Sequence, residues 1–187
     1  MSLAAARDGS SYEPAFFEVG FGFEDEPESL PALELEAPDG PLRLRGRIDR
    51  IDVSPAGDRA VVVDYKGRRV TPGEKWESER SFQAALYLRA ARDLLGLEPA
   101  GAFYQPLGVA DLRRRGLIAE DADPGLDVVN GDRRPPERVD EVLDAVVALA
   151  TDAAAQARSG ALEPRPDTCT PARRCAYPGL CRCEAAA

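Results

Sequence analysis

The stretch RIDRIDVSPAGDRAVVVDYKGRR, residues 47–69, decides how this chain folds. Its first part belongs to PLRLRGRIDRIDV at 41–53, where Leu42, Leu44 and Ile48 fall on one face of a strand and Arg43, Arg45, Arg47 and Asp49 on the other. SPAGD at 54–58 reads as a turn, and AVVVDYK at 60–66 as the next strand. Upstream, LELEA at 33–37 also alternates, and PDG at 38–40 makes a tight turn into the arginine-rich strand. Three strands joined by short turns predict an antiparallel meander.

Downstream the period changes. Phe82, Ala85, Leu86, Ala90 and Leu94 fall at helical spacing, which predicts a helix from Glu79 that ends at Gly96. AGAFYQPL at 100–107 predicts a fourth strand. Gly108 to Pro136 is polar and rich in Gly, Pro and Asp, an excursion longer than an ordinary connection. A last helix is expected from Glu137 to about Ser159, with Val139, Val142, Leu143, Val146, Leu149 and Ala153 as its buried stripe and Gly160 past its end. Strands, helix, strand, helix is the order of an α/β fold, a central mixed sheet flanked by helices. The expected organisation is a disordered or expression-derived lead over 1–11, one core over 12–160, and a cysteine-rich tail over 161–187.

Composition excludes several functions. The chain has 187 residues, 44% hydrophobic and 30% charged, enough for one globular core. No apolar run reaches the roughly 18 residues of a membrane span, and MSLAAARDG lacks a signal peptide's apolar centre, so a cytoplasmic protein is expected. A formal charge of −9 argues against a surface that grips nucleic acid all round. The charge is uneven, with EDEPESLPALELEAPD at 24–39 acidic and residues 43–50, 66–69 and 111–116 basic, which leaves room for a local basic groove. Histidine is absent, which removes Ser-His-Asp and Cys-His chemistry and histidine-based zinc peptidases. No Gly-x-x-x-x-Gly-Lys-Ser/Thr loop is present, so this stretch of chain carries no P-loop motor of its own.

The chemistry that remains rests on carboxylates and an amine. Residues two apart on a strand share a face, so Asp64 and Lys66 project side by side, roughly 7 Å apart by strand rise. Asp49 lies on the preceding strand and can approach Asp64 across the ladder. Two carboxylates that close repel unless a cation joins them, and oxygen ligands select a hard ion, Mg²⁺ or Mn²⁺. An ammonium at Lys66 can then stabilise charge on a phosphate. Alone, Asp-x-Lys is equally an ion pair at a strand end, worth about 0–1 kcal/mol if exposed. Gln83 and Tyr87, four apart, share one face of the helix and can reach toward the strand ends.

Gly46-Arg-Ile-Asp49-Arg-Ile-Asp52, then Val63-Asp64-Tyr65-Lys66-Gly67, then Gln83-Ala-Ala-Leu-Tyr87 resemble, in order and spacing, the RecB-like nucleases of the PD-(D/E)XK superfamily, above all the C-terminal nuclease domain of AddB-type helicase-nuclease subunits. The resemblance covers roughly residues 12–107 and the cysteine-bearing tail. It implies a restriction-endonuclease-like core that hydrolyses DNA with Mg²⁺, in which Asp49, Asp64 and the Tyr65 carbonyl hold the metal. Lys66 is then the catalytic lysine, and Gln83 and Tyr87 match the family's Gln-x-x-x-Tyr helix. Glu18, in FFEVGFG, sits where relatives begin their first strand with a glutamate, and is expected to support the fold or the metal carboxylates. Relatives carry an upstream helix with a histidine, and both are missing here; the chain is expected to be a fragment with MSL as its cut edge, the alternative being a histidine-free variant.

All four cysteines fall in CTPARRCAYPGLCRC, residues 169–183. So tight a cluster points to a metal or cluster site, zinc or iron-sulfur, with free thiols or a disulfide as the alternative. Cys175-Ala-Tyr-Pro-Gly-Leu-Cys181-Arg resembles the end of the [4Fe-4S] staple of AddB-type nucleases, which implies Cys169, Cys175 and Cys181 as ligands, the fourth being either Cys183 or a residue on a removed N-terminal part. Cys169 stands where the pattern places a cysteine near 172, and the pattern's upstream cysteine is missing.

Together these features imply a metal-dependent DNA exonuclease domain of a helicase-nuclease acting in double-strand-break repair and recombination. DNA and a helicase region or subunit would be its partners. A stand-alone nuclease of the CRISPR-adaptation type and a nuclease-like domain that only binds DNA or a partner are the alternatives.

Overall fold

The run Ala60-Val61-Val62-Val63 is buried at every consecutive position, which happens only to a strand covered on both faces. This strand is the axis of the fold. The computed structural model describes residues 11–67, 70–108, 110–122 and 128–162. In chain order its elements are β1 (Glu13–Phe21), β2 (Leu33–Leu35), β3 (Leu42–Leu44), β4 (Gly46–Val53), β5 (Arg59–Lys66), α1 (Gln83–Leu95), β6 (Glu98–Pro106), β7 (Arg115–Ala119), β8 (Arg133–Arg134) and α2 (Pro136–Arg158). Short 3₁₀ turns lie at Gly73–Lys75 and Asn130–Asp132.

The main sheet has the order β1-β4-β5-β6-β7-β8, and β2 with β3 forms a separate two-stranded sheet. Pairing is antiparallel at β1/β4, β4/β5 and β6/β7, and parallel at β5/β6 and β7/β8. A parallel neighbour needs a long crossover, and α1 supplies it, packing on β5 and β6. The helix meets the sheet through small residues, Ala84, Ala85, Ala90 and Ala91 around Leu88, all buried. Gly96 ends α1 at φ 69, a left-handed turn that glycine makes without steric cost. α2 packs against α1, β6 and β7 and buries Val139, Val142, Leu143 and Val146.

The mixed sheet with flanking helices is the fold class expected. Four local readings are corrected. Residues 33–53 do not give two strands of one meander: β2 and β3 pair with each other, the strand breaks at Arg45, and β4 takes β1 as its partner. The cause lies at Gly46, where a Cβ would come within 2.8 Å of Phe21 and 3.0 Å of Tyr87, so the chain is pressed there against the core. The helix begins at Gln83 and not at Glu79, because Arg80 takes φ 51 and Ser81 N–H returns to Trp76 O in a turn of its own. Within the expected excursion, RGLIA at 115–119 forms β7, buried from Gly116 to Ala119. Near the end of α2 the buried position is Thr151, with Ala153 exposed.

Candidate active site

The last described ladder pair between β4 and β5 is Arg50 with Val63. Continuing this register by one step sets Asp49 opposite Asp64, and the charge of Asp49 is felt at the Asp64 carboxyl. Here a side chain replaces the ladder, because Asp49 Oδ2 accepts the Tyr65 N–H at 2.8 Å. Ile48 and Ile51 are both buried although three residues apart, so the strict alternation expected for β4 is interrupted at Asp49. Glu18 faces the interruption: its neighbours pair Phe17 with Arg50 and Val19 with Ile48, and it takes φ 52, a rare value for a residue with a side chain. The Glu18 carbonyl accepts Arg47 Nη1 at 3.2 Å. Its carboxylate is exposed and makes no hydrogen bond or ion pair among the described residues.

Asp64 and Lys66 close β5 on the face that carries α1. The Lys66 ammonium stands 2.5 Å from Asp64 Oδ2 and 2.6 Å from Gln83 Oε1. Gln83 Nε2 in turn donates to the Tyr87 hydroxyl at 3.1 Å, and Tyr87 meets Phe21 edge-on at 6.0 Å. The structure therefore joins Asp64, Lys66, Gln83 and Tyr87 in one chain of polar contacts. Gly46 closes the chain sterically, since its missing side chain is the space the Tyr87 ring occupies.

Asp64 is the unusual member. Burial pushes its carboxyl up from the ordinary value; Lys66 opposes this, and the charge of Asp49 adds to it. Although Oδ2 lies close to the ammonium, the approach is an ion pair off the hydrogen-bonding direction, and Oδ2 has no hydrogen-bond partner. A buried carboxylate oxygen with spare lone pairs, beside a second carboxylate, is a donor set that suits a hard cation. Among the described residues no group of three acidic, histidine or cysteine side chains forms a metal site.

The basic stretches prove to be largely neutralised. Arg47 grips Glu26 at 2.6 Å, Arg43 meets Glu34 at 3.2 Å, and Arg50 pairs with Asp52 at 2.5 Å. Arg113 pairs with Asp111 at 2.7 Å and Arg115 with Asp132 at 2.8 Å. The acidic segment 24–39 thus supplies two of these partners. Arg68, Arg69 and the cysteines from Cys169 to Cys183 lie outside the described residues.

Two residues next to the site, Tyr104 and Ser81, escape a reading of the sequence. Tyr104 lies opposite Asp64 in the parallel register of β5 and β6, and its hydroxyl is 3.0 Å from Ser81 Oγ. Alternation along AGAFYQPL would place Tyr104 with Ala102 and Ala100, but only the register shows which residue of β5 it meets.

A profile of the PD-(D/E)XK nuclease superfamily matches residues 2–182. The chain belongs to this superfamily. PD-(D/E)XK nucleases generally use divalent metals such as Mg²⁺, and the mixed sheet with flanking helices is consistent with their restriction-endonuclease-like fold. Among curated proteins the chain is similar to an ATP-dependent helicase/deoxyribonuclease subunit of Leuconostoc citreum, 35% identical over 49% of this chain and 8% of the relative. The protein of the same name from Natranaerobius thermophilus is 47% identical over 35% of this chain and 6% of its own length. That from Symbiobacterium thermophilum is 37% identical over 51% of this chain and 9% of its own. The chain thus spans less than a tenth of the length of these relatives. No helix among the described residues is long and apolar enough to cross a membrane.

Proposed function

We propose that this PD-(D/E)XK chain is the nuclease domain of a helicase-nuclease, hydrolysing DNA phosphodiesters with Mg²⁺ or Mn²⁺ as an exonuclease in double-strand-break repair and recombination. The observation that carries the reading is the arrangement of Asp49 beside Asp64, with the Lys66 ammonium held between Asp64 and Gln83. Asp49, Asp64 and the Tyr65 carbonyl would hold the ion, which when bound supplies positive charge at the phosphate and an activated water.

The chain's own residues do the remaining work. Lys66 has hydrogens beyond the one directed at Gln83, and these can donate to a phosphate oxygen as negative charge grows there. Gln83 fixes the ammonium, and Tyr87 fixes Gln83, so the lysine need not be ordered during the reaction. Because Asp64 is buried and its Oδ2 is met by the Lys66 ammonium alone, a cation bound there competes with a single ion pair.

The same reading makes DNA and a helicase region or subunit the partners, and the cytoplasm the place of action. It divides the chain into a lead over 1–11, the core over 12–160 and the tail over 161–187, whose Cys169, Cys175, Cys181 and Cys183 would hold a structural [4Fe-4S] cluster in the intact protein. Incubation with linear DNA and Mg²⁺ tests it. Cleavage should disappear in Asp64→Ala and Lys66→Ala with folding retained, and equal cleavage by both variants would discard the assignment. Absorption near 400 nm after anaerobic purification of the full-length protein checks the cluster; stoichiometric zinc would contradict it.

A further inference from the structure

Helix α1 begins without a side-chain cap of its own. Phe82 occupies the cap position and offers no oxygen to the exposed N–H groups of the first turn. The N–H of Ala84, two residues in, is instead bound by the Tyr104 hydroxyl at 3.3 Å, from a strand twenty residues further along the chain. A Ser, Asp or Asn at the cap bonds this same position in ordinary helices. The hydroxyl also shares a hydrogen bond with Ser81 Oγ at 3.0 Å, immediately after the left-handed Arg80. The Tyr104 ring is buried, held edge-on by Trp76 at 6.2 Å, and the Lys66 ammonium lies 5.3 Å over it.

One side chain therefore touches both halves of the site. Its ring lies under Lys66 at the end of β5, and its hydroxyl holds the residue next to Gln83 at the start of α1. The distance between these two elements sets whether Lys66 and Gln83 meet. We propose that Tyr104 is a positioning residue: it caps α1 across the sheet, fixes Gln83 by doing so, and through Gln83 fixes the Lys66 ammonium. Its kinetic consequence rests on the nuclease reading above; its capping role does not.

The test uses the longest native polypeptide that contains this chain and the variants Tyr104→Phe, Gln83→Ala and their combination. Amide exchange at Ala84 should quicken about tenfold or more in Tyr104→Phe, with Leu88 and Ala91 unchanged, because only the cap is lost. On linear DNA with Mg²⁺, kcat should fall about tenfold, with KM within about twofold, the pattern of a misplaced group and not of lost binding. The double variant should be no slower than Gln83→Ala alone, since both act along one route. Unchanged exchange at Ala84, or losses in kcat that multiply, would overturn the proposal. Should Tyr104→Phe fail to fold, Ser81→Ala removes the hydroxyl's other partner and must quicken Ala84 exchange about threefold; no change there is also fatal. Asp64→Ala serves as the separate control: retained cleavage in that variant defeats the nuclease reading, while the Ala84 exchange still decides the cap.

Discussion

Asp64 and Asp132 are equally hidden, each with a side chain 2% exposed and each facing a single cation, yet they are bound in opposite ways. Asp132 is complete. Arg115 donates to both of its oxygens, at 2.8 and 3.0 Å, and Gly116 N–H adds a third bond at 3.0 Å, tying β7 to the turn before β8. Asp64 is incomplete, with one close ammonium and an oxygen that accepts no hydrogen bond. The planar arginine fork saturates a carboxylate, whereas a lysine leaves lone pairs free and can turn to another anion. Lys66 and Lys75 are the only lysines among 24 basic residues, so an amine at this point stands out against a chain built on arginine. A saturated buried acid serves the fold, and an unsaturated one is available for chemistry.

That contrast is most exposed to test at Asp64 itself. Asp64→Ala should lower cleavage of linear DNA by about three orders of magnitude or more, over 4 kcal/mol at about 1.36 kcal/mol per tenfold, while circular dichroism and the melting temperature show an intact fold. Asp132→Ala should do the reverse. Removing it strands the Arg115 guanidinium and the Gly116 N–H, and chemical denaturation should show a loss of about 3 kcal/mol, with kcat near that of the parent at temperatures where the variant is folded. Equal effects of the two substitutions on cleavage would erase the distinction.

A third expectation concerns the metal. At a hundredfold excess over its dissociation constant, Mg²⁺ should stabilise the protein by about 2.7 kcal/mol. The shift should vanish in Asp64→Ala, persist in Asp132→Ala, and disappear on chelation. The smallest effect belongs to an exposed pair. Arg113 holds the Asp111 carboxyl down, from the ordinary 3.8 to about 2. A depressed acid stabilises the fold above its unfolded value and loses that contribution as pH falls through the folded one, so the pH dependence that Asp111→Asn removes lies in acid unfolding between pH 3.8 and about 2. Because the pair is solvent-exposed, the melting temperature at neutral pH should not move.

Much of the site could be read from spacing alone. Asp64 and Lys66 follow from the two-residue period of a strand, Asp49 from a short turn, and Gln83 with Tyr87 from the helical period. These are local rules, and each held where the chain obeyed it. The parts that stayed hidden depend on distant partners. LRL at 42–44 and GRIDRIDV at 46–53 look like one strand, but packing of Phe21 and Tyr87 at Gly46 divides them. RGLIA at 115–119 sits between charged runs and carries too few residues to show a period. The basic stretches suggested a groove because their counter-charges, Glu26 for Arg47 and Asp132 for Arg115, lie 17 or more residues away in sequence. Tyr104 has no signal near it, since a cap normally lies beside the helix it serves.

The far end of α2 carries one more consequence. Arg158 donates to Asp39 Oδ1 and Gly40 O at 3.1 Å and to Pro41 O at 2.9 Å, latching the small sheet to a helix 23 residues long. Segments 119 positions apart meet there, so the latch cannot close until nearly all of the described chain has collapsed. Its contribution is expected to be missing from the folding transition state. Arg158→Ala should therefore hasten unfolding and leave the folding rate alone, which makes this arginine a brake on opening.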